Sequence, residues 1–162
     1  MVSSPPPDPF VTKDWRQPSF RGFFWVSLLL GENMKTTAVQ FKTQGPPDVM
    51  EFMDINLPEP EPGEVTIEQS VVGLNFIDIY HRGGQYALPM PSGVGAEAAG
   101  KIIALGSDVN EFNIGDRVVY GGGPPGAYAT HRNFPAHRLI RIPESIEDEI
   151  AAAIIVKGIT AE

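Results

Sequence analysis

A glycine-rich segment of the chain has the spacing of a phosphate-binding turn. Gly93, Gly95 and Ala98 satisfy the pattern G-x-G-x-x-G/A, in which glycines let a pyrophosphate approach the N-terminus of a helix. The pattern requires a preceding strand, which the Pro-Met-Pro-Ser sequence of residues 89–92 cannot form. Glu97 would also place a carboxylate among groups that must receive a diphosphate. We therefore predict that this segment is not a dinucleotide fingerprint.

Histidines are the next residues that could do chemistry, as metal ligands. The chain has three, His81, His131 and His137, and it has no cysteine. Catalytic zinc usually takes three protein ligands from His, Cys and carboxylate side chains. Nothing in the sequence places His81 or Glu97 beside the other two histidines, so we predict no metal site. A serine hydrolase is equally poorly supported, because no serine stands in a G-x-S-x-G elbow.

Length and charge limit the fold and its partners. A chain of 162 residues holds one ordinary domain with a real core but hardly two. Its formal charge of −8 at pH 7 repels phosphate backbones, so nucleic acid is not an expected partner. The absence of cysteine excludes disulfides and is compatible with the cytoplasm, which is the predicted location.

The first 33 residues differ from the rest of the chain. The Pro-Pro-Pro-Asp-Pro sequence at 5–9 cannot continue a helix. We predict that residues 1–33 are a disordered extension and that Met34 is the natural start. The apolar run at 23–30 leaves a signal peptide open as an alternative, although no small-x-small cleavage site follows it. The run is far shorter than the roughly twenty apolar residues that cross a bilayer, so no membrane span is expected.

The chain has 16 prolines and 17 glycines. Residues of these two types interrupt regular structure, so their number predicts short strands joined by turns. Val65 and Ile67 alternate with the polar Thr66 and Glu68, which is the pattern of a half-buried strand. Predicted strands cover residues 35–43, 49–56, 65–70, 97–106, 115–121, 126–132 and 136–142, and a short helix covers 76–83. Many short strands are typical of a barrel. We therefore expect a mainly β fold with short helices over residues 34–143.

The last segment, 144–162, changes to a helical period. Ile146, Ile150 and Ile154 lie at helical spacing behind a Ser145-x-x-Asp148 pair that resembles a capping box. A helix is therefore predicted to begin near Ser145. Because this apolar helix is still running where the chain stops, we interpret the chain as part of a longer one. The alternative is a natural C-terminal helix in which a glycine is the stop signal.

Five sequence blocks, taken in order, resemble a known superfamily. The resemblance is to the N-terminal catalytic domain of the medium-chain dehydrogenase/reductase superfamily, and within it to the zinc-free quinone oxidoreductases related to zeta-crystallin. In zinc-dependent relatives the positions of Asn75 and Ala96 resemble those of a cysteine and a histidine ligand, and both ligands are absent here. The blocks are the G-L-N-F-I-D-I-Y-x-R-x-G-x-Y sequence at 73–86, P-x-x-x-G-x-E-x-x-G at 91–100, G-D-R-V at 115–118, G-A-Y-A at 126–129 and K-G-I-T at 157–160.

The resemblance implies a GroES-like, partly open β-barrel that packs against a Rossmann domain, with NADPH in the cleft between them and no zinc. The implied enzyme is an NADPH:quinone oxidoreductase, with a quinone or another activated alkene as substrate and a homodimer as the full-length form. The implied catalytic residues are Asn75, Tyr80 and Tyr86. The implied cofactor-binding residues are Asn75, Phe76, Ile77, Asp78, Ile79, Tyr80, Lys157 and Thr160. Without a nucleotide-binding half, the chain is expected to be inactive and to bind NADPH weakly or not at all.

The sequence leaves several alternatives open. One alternative is that the chain is a stand-alone GroES-like module with a binding or assembly role. Another is that it belongs to a related zinc-free reductase that acts on enones or alcohols. Asn75 is alternatively a turn residue, Asp78 a helix N-cap partner, and Tyr80 or Tyr86 a core aromatic residue. For Glu97 we favour a structural ion pair, with Arg82 as its partner.

Overall fold

Two antiparallel sheets make up most of the structure, a computed structural model that describes residues 34–161. The three-stranded sheet has the order β2-β1-β4, and the five-stranded sheet has the order β7-β3-β5-β6-β8. The elements in chain order are β1 (Met34–Phe41), β2 (Glu51–Leu57), β3 (Glu64–Gly73), α1 (Phe76–Gly83), β4 (Ser92–Gly93), β5 (Glu97–Leu105), β6 (Arg117–Gly121), β7 (His131–Pro135), β8 (Ile140–Arg141) and α2 (Asp148–Ala161). The predictions for residues 1–33, including the start at Met34 and the signal-peptide alternative, concern a segment outside the described residues.

The five-stranded sheet is buried on both faces, because its side chains alternate between two clusters. On β6, Val118 and Tyr120 enter the larger cluster, whereas Val119 enters the cluster on the other face. The larger cluster also holds Ile67 of β3 and Phe134 of β7. On the other face the sheet packs against α2, whose buried residues are Ala151 and Ala152. Small alanines let the helix approach the sheet closely.

The two sheets are joined along β1 by the segment that precedes β7. The Val39 N–H donates to the Tyr128 carbonyl at 2.8 Å, and the Thr130 N–H donates to the Thr37 carbonyl at 2.9 Å. The sheets do not close into a complete barrel in the described part of the chain. The expected mainly β fold with short helices is confirmed, as is the predicted helix over residues 76–83.

The predicted strands at 126–132 and 136–142 were wrong in extent. Only His131–Pro135 forms β7, because the chain before it follows β1 through a single bridge between Ala38 and Ala129. Gly126 has a φ of 131°, which breaks the regular strand. After β7 a 3-10 turn at Ala136–Arg138 reduces the second strand to Ile140–Arg141. The other predicted strands differ at their ends by a few residues.

The predicted capping box at the C-terminal helix was also wrong. Helix α2 begins at Asp148, and the carboxylate of that residue accepts hydrogen bonds from Arg117 and Ser70 instead of capping with Ser145. The helix continues through Gly158 to Ala161, so this glycine does not stop it. None of the helices described is long and apolar enough to cross a membrane.

Candidate functional site

Helix α1 begins with a polar arrangement that is buried. The N-cap residue is Asn75, and the Asp78 carboxylate accepts its backbone N–H at 2.9 Å. The same oxygen of Asp78 accepts the Tyr128 hydroxyl at 3.0 Å. Asp78 is only 5% exposed. The alternative reading of Asp78 as a helix N-cap partner is therefore confirmed by the geometry.

The opposite face of α1 is apolar and exposed. Phe76 is 78% exposed, and Leu74, just before the helix, is 79% exposed. This orientation is the reverse of a normal surface helix, which buries its apolar side chains and exposes its polar ones. The helix therefore presents an apolar surface to whatever binds next to it. Its exposed apolar side chains are Phe76, Ile77, Ile79 and Tyr80.

Two buried polar atoms at the N-terminal end of α1 have no hydrogen-bond partner among the described residues. They are Nδ2 of Asn75 and Oδ1 of Asp78. Leaving a buried polar atom unpaired costs stability, so native proteins rarely do it without a reason. An unpaired amide donor and an unpaired carboxylate acceptor therefore mark this end of α1 as a candidate binding site.

The structure brings the two predicted catalytic tyrosines together at the other end of α1. The rings of Tyr80 and Tyr86 meet edge to face, with their centroids 6.0 Å apart. Gln44 fixes the turn between them by donating to the carbonyls of His81 at 2.8 Å and Tyr86 at 2.7 Å. Both tyrosines are exposed, so they are not core aromatic residues.

The predicted ion pair between Glu97 and Arg82 was wrong. Arg82 donates to the Gly45 carbonyl, because the last turn of α1 lies against the loop after β1. The Glu97 carboxylate, which is wholly buried, forms an ion pair with Lys157 of α2. Lys157 is therefore held at the end of β3, where the chain leads into Asn75. Thr160, one turn later, donates its hydroxyl to the Val156 carbonyl.

Tyr128 is a site residue that the sequence analysis did not select. Burial raises the pKa of its hydroxyl well above the usual range, and the negative charge of Asp78 raises that pKa further. The hydroxyl therefore stays protonated and donates to Asp78. Its ring lies against Gly95, where a Cβ would overlap the aromatic carbons. The G-A-Y-A block at 126–129 was the only sequence signal for it.

The three histidines lie on separate elements: His81 in α1, His131 in β7 and His137 in the 3-10 turn after β7. The part of the chain that the structure describes has no group of three His, Cys, Asp or Glu side chains able to hold a metal ion.

Comparison with known proteins identifies the domain. Residues 61–144 match the family model described as the alcohol dehydrogenase GroES-like domain. The chain belongs to this family.

Several proteins similar to this GroES-like domain are reductases. A quinone oxidoreductase of Pseudomonas aeruginosa is 44% identical over 76% of this chain and 38% of its own length. The crystal structure of Escherichia coli quinone oxidoreductase complexed with NADPH is 39% identical, has a TM-score of 0.75 and is covered over 38% of its chain. A 2-haloacrylate reductase of Burkholderia is 35% identical over 74% of this chain and 38% of its own length.

The predicted resemblance to the quinone oxidoreductases of the medium-chain dehydrogenase/reductase superfamily is confirmed by these relatives. The chain spans a little over a third of the length of the curated relatives it matches. All the strand pairs in residues 34–161 are antiparallel. A dinucleotide fold needs a parallel sheet, so the described GroES-like domain does not itself provide one.

Proposed function

We propose that this GroES-like domain is the substrate-side part of an NADPH-dependent quinone oxidoreductase. The proposal is supported by relatives that are quinone oxidoreductases, one of which was solved with NADPH. The single observation that carries it is the outward apolar face of α1. That face runs from the unpaired amide of Asn75 to the exposed Tyr80–Tyr86 pair.

The residues present fit a nicotinamide and a quinone. Both rings are flat and largely apolar, and the exposed side chains of Phe76, Ile77 and Ile79 offer a surface of the same character. Tyr80 and Tyr86 offer ring faces and edges against which a quinone packs. Asn75 has an amide that both donates and accepts.

In the proposed reaction NADPH supplies the hydride when bound. The chain's own residues position the substrate and shape its surroundings. Tyr80 and Tyr86 orient the quinone, and Asn75 provides a polar group at the nicotinamide end. Lys157 and Thr160 contribute further polar groups from α2. A quinone that accepts a hydride becomes a hydroquinone anion, and one proton from solvent completes the reduction. The protein's contribution is therefore proximity and orientation.

The adenine and diphosphate of the cofactor are proposed to bind to a separate nucleotide-binding half. The described sheets are antiparallel, and the relatives are more than twice as long as the matched segment. We therefore expect the 162-residue chain alone to bind NADPH weakly or not at all and to show no quinone reduction. A fluorescence titration that gave micromolar affinity for NADPH would contradict this expectation.

A chimera tests the proposed function. Residues 34–161 replace the matching segment of the Pseudomonas aeruginosa relative, and NADPH oxidation is followed with 1,4-benzoquinone. We expect activity within about tenfold of that relative. The control is the same chimera with Tyr86→Ala and Asn75→Ala, which should lose most of it. A well-folded chimera that binds NADPH but does not reduce the quinone would refute the proposal.

A second substrate class is favoured by a specific relative. The similarity to a 2-haloacrylate reductase suggests activated alkenes as alternative acceptors. Assaying the chimera with 2-chloroacrylate beside benzoquinone, and comparing kcat/KM, separates the two. The homodimeric state and the cytoplasmic location stay predictions.

A further inference from the structure

Glu97 is a wholly buried carboxylate that has no role in the proposed reaction. It begins β5, and its side chain has 0% exposure. Its partners are the Lys157 ammonium and, at 3.3 Å, the Val156 N–H. Burying a charge is costly unless the charge is paired and hydrogen-bonded. Because both partners lie in one turn of α2, the buried carboxylate is satisfied only while that turn stays in place.

Two glycines open the path between Glu97 and the helix. Gly73 of β3 and Gly121 of β6 are its paired neighbours in the sheet. A Cβ at Gly73 would overlap the Glu97 carboxylate, and a Cβ at Gly121 would lie 3.0 Å from a Val156 methyl group. Neither glycine is among the residues with positive φ. They are needed for space, so the local sheet is shaped to let this carboxylate reach α2.

The ion pair places the Lys157 ammonium at the beginning of the candidate site. The oxygen of Glu97 that binds Lys157 is the same one that lies against Gly73, two residues before Asn75. The Lys157 side chain is 52% exposed. An ammonium has three N–H donors, and Glu97 takes one, which leaves two for other partners.

A second ion pair fixes the other end of the same helix. Arg117 of β6 and Asp148 meet at 2.6 Å, and Arg117 also donates to the Ile146 carbonyl. This pair anchors the beginning of α2 to the sheet, far along the helix from Lys157. The ion pair of Arg117 therefore already holds α2 against the sheet. A buried ion pair adds little net stability over an apolar contact, so the fold does not require the Glu97–Lys157 pair for docking of the helix.

We propose that Glu97 is a positioning residue that fixes the Lys157 ammonium beside Asn75, so that Lys157 acts on the bound nicotinamide and quinone. This inference rests on the proposed function. It assigns Glu97 no contact with substrate, and it makes the geometry of α2 part of the active site.

The test compares Glu97→Gln with Asp148→Asn as a matched control in the chimera. Both substitutions remove one carboxylate charge from an ion pair that holds α2, and both keep the side-chain volume. We expect Glu97→Gln to lower kcat and kcat/KM together by about tenfold, since it disturbs an interaction needed in the transition state. We expect Asp148→Asn to lower Tm while kcat stays within about twofold. Equal losses of kcat in the two variants, or none in Glu97→Gln, would overturn the inference.

Variants of the lysine separate charge from packing. Lys157→Met keeps the aliphatic stem and removes the ammonium, so kcat should fall at least as far as in Glu97→Gln. In Lys157→Met, adding Glu97→Gln should then cause little further loss, because the group that Glu97 positions is already gone. Additive losses in the double variant would count against positioning.

Amide hydrogen exchange on the 162-residue chain gives a readout that does not depend on activity. Glu97→Gln should accelerate exchange by about tenfold in residues 155–161 and leave residues 148–152 unchanged. Asp148→Asn should accelerate exchange in residues 148–152 and leave residues 155–161 unchanged. If the unsubstituted chimera is inactive, the proposed function fails, and this experiment still decides whether Glu97 positions the Lys157 turn. Unchanged exchange in Glu97→Gln would then overturn the inference.

Discussion

The Tyr128 hydroxyl donates to the Asp78 carboxylate at 3.0 Å, across 50 residues of sequence. This bond ties the first turn of α1 to the segment that joins the two sheets. The same carboxylate oxygen also accepts the Asn75 N–H. The position of the candidate site therefore depends on a tyrosine that a distant segment of the chain supplies.

Removing that hydroxyl should destabilise the chain. In Tyr128→Phe the buried Asp78 carboxylate keeps only the Asn75 N–H as a partner, so we expect the free energy of unfolding to fall by about 1–3 kcal/mol. Urea denaturation followed by circular dichroism measures it. Tyr86→Phe is the control, because the exposed Tyr86 hydroxyl should change stability by less than about 0.5 kcal/mol. Equal effects of the two substitutions would show that the bond to Asp78 contributes nothing.

Local patterns in the sequence predict the elements well. The alternation over 65–70 identifies β3, and helix α1 covers the predicted residues 76–83. These features depend on neighbouring residues, whose periodicity is visible in the sequence. The prediction of a strand at 126–132 failed because it depended on contacts between distant residues. Its apolar and turn residues suit a strand, but its backbone pairs with β1 instead of continuing β7.

Contacts between distant residues were not predictable. Nothing in the sequence indicates that Glu97 pairs with a lysine 60 residues later rather than with Arg82. Gly73 leaves room for the Glu97 carboxylate, because a Cβ at this position would overlap it. The site residues were found by resemblance, and their orientation came only from the fold: Asp78 is buried and Phe76 is exposed.

Two glycine substitutions should have opposite effects on stability. A Cβ at Gly100 would overlap the Glu68 carbonyl and lie 2.8 Å from the Gln69 Cα, both of which are backbone atoms. We expect Gly100→Ala to lower the free energy of unfolding by about 3 kcal/mol or more. Gly158 lies inside α2, and apart from the backbone of its own helix and its chain neighbours no atom lies within 4 Å of its would-be Cβ. Gly158→Ala should therefore raise stability by about 0.5–1 kcal/mol.

Thermal unfolding of both glycine variants measures this contrast. Gly100→Ala and Gly158→Ala add the same methyl group, so both have the same general effect on the unfolded chain. A difference in stability between the two variants therefore reports on the folded structure. A stabilised Gly100→Ala variant would show that β3 and β5 are further apart than the structure places them.

Stability should decrease in mild acid because of His131. Burial lowers the pKa of this imidazole, and the nearby Glu68 charge opposes the shift only in part. The unfolded chain therefore binds a proton more readily than the folded one. The stabilising contribution is fully present above the unfolded pKa of about 6.5 and is lost as the pH falls through the lower folded pKa. Urea denaturation should give a lower free energy of unfolding at about pH 5.5 than at about pH 7.5.

Substitution identifies the histidine responsible. His131→Gln should give a smaller loss of stability between the two pH values than the unsubstituted chain. His137→Gln alters an exposed residue and should leave the loss as it was. An unchanged pH dependence in His131→Gln would mean that another group causes it.

The Asn75 amide should matter for the cofactor more than for the fold. Its Nδ2 atom has no partner within the described residues. Asn75→Ala gives up only the capping contact of the side chain with the first turn of α1, and the backbone N–H keeps its bond to the Asp78 carboxylate. In the chimera we expect kcat/KM for NADPH to fall by about tenfold or more. The loss in Tm should stay below that of Tyr128→Phe. Steady-state kinetics and thermal unfolding of the same preparations separate the two effects, and an Asn75→Ala variant with unchanged kcat/KM would remove Asn75 from the site.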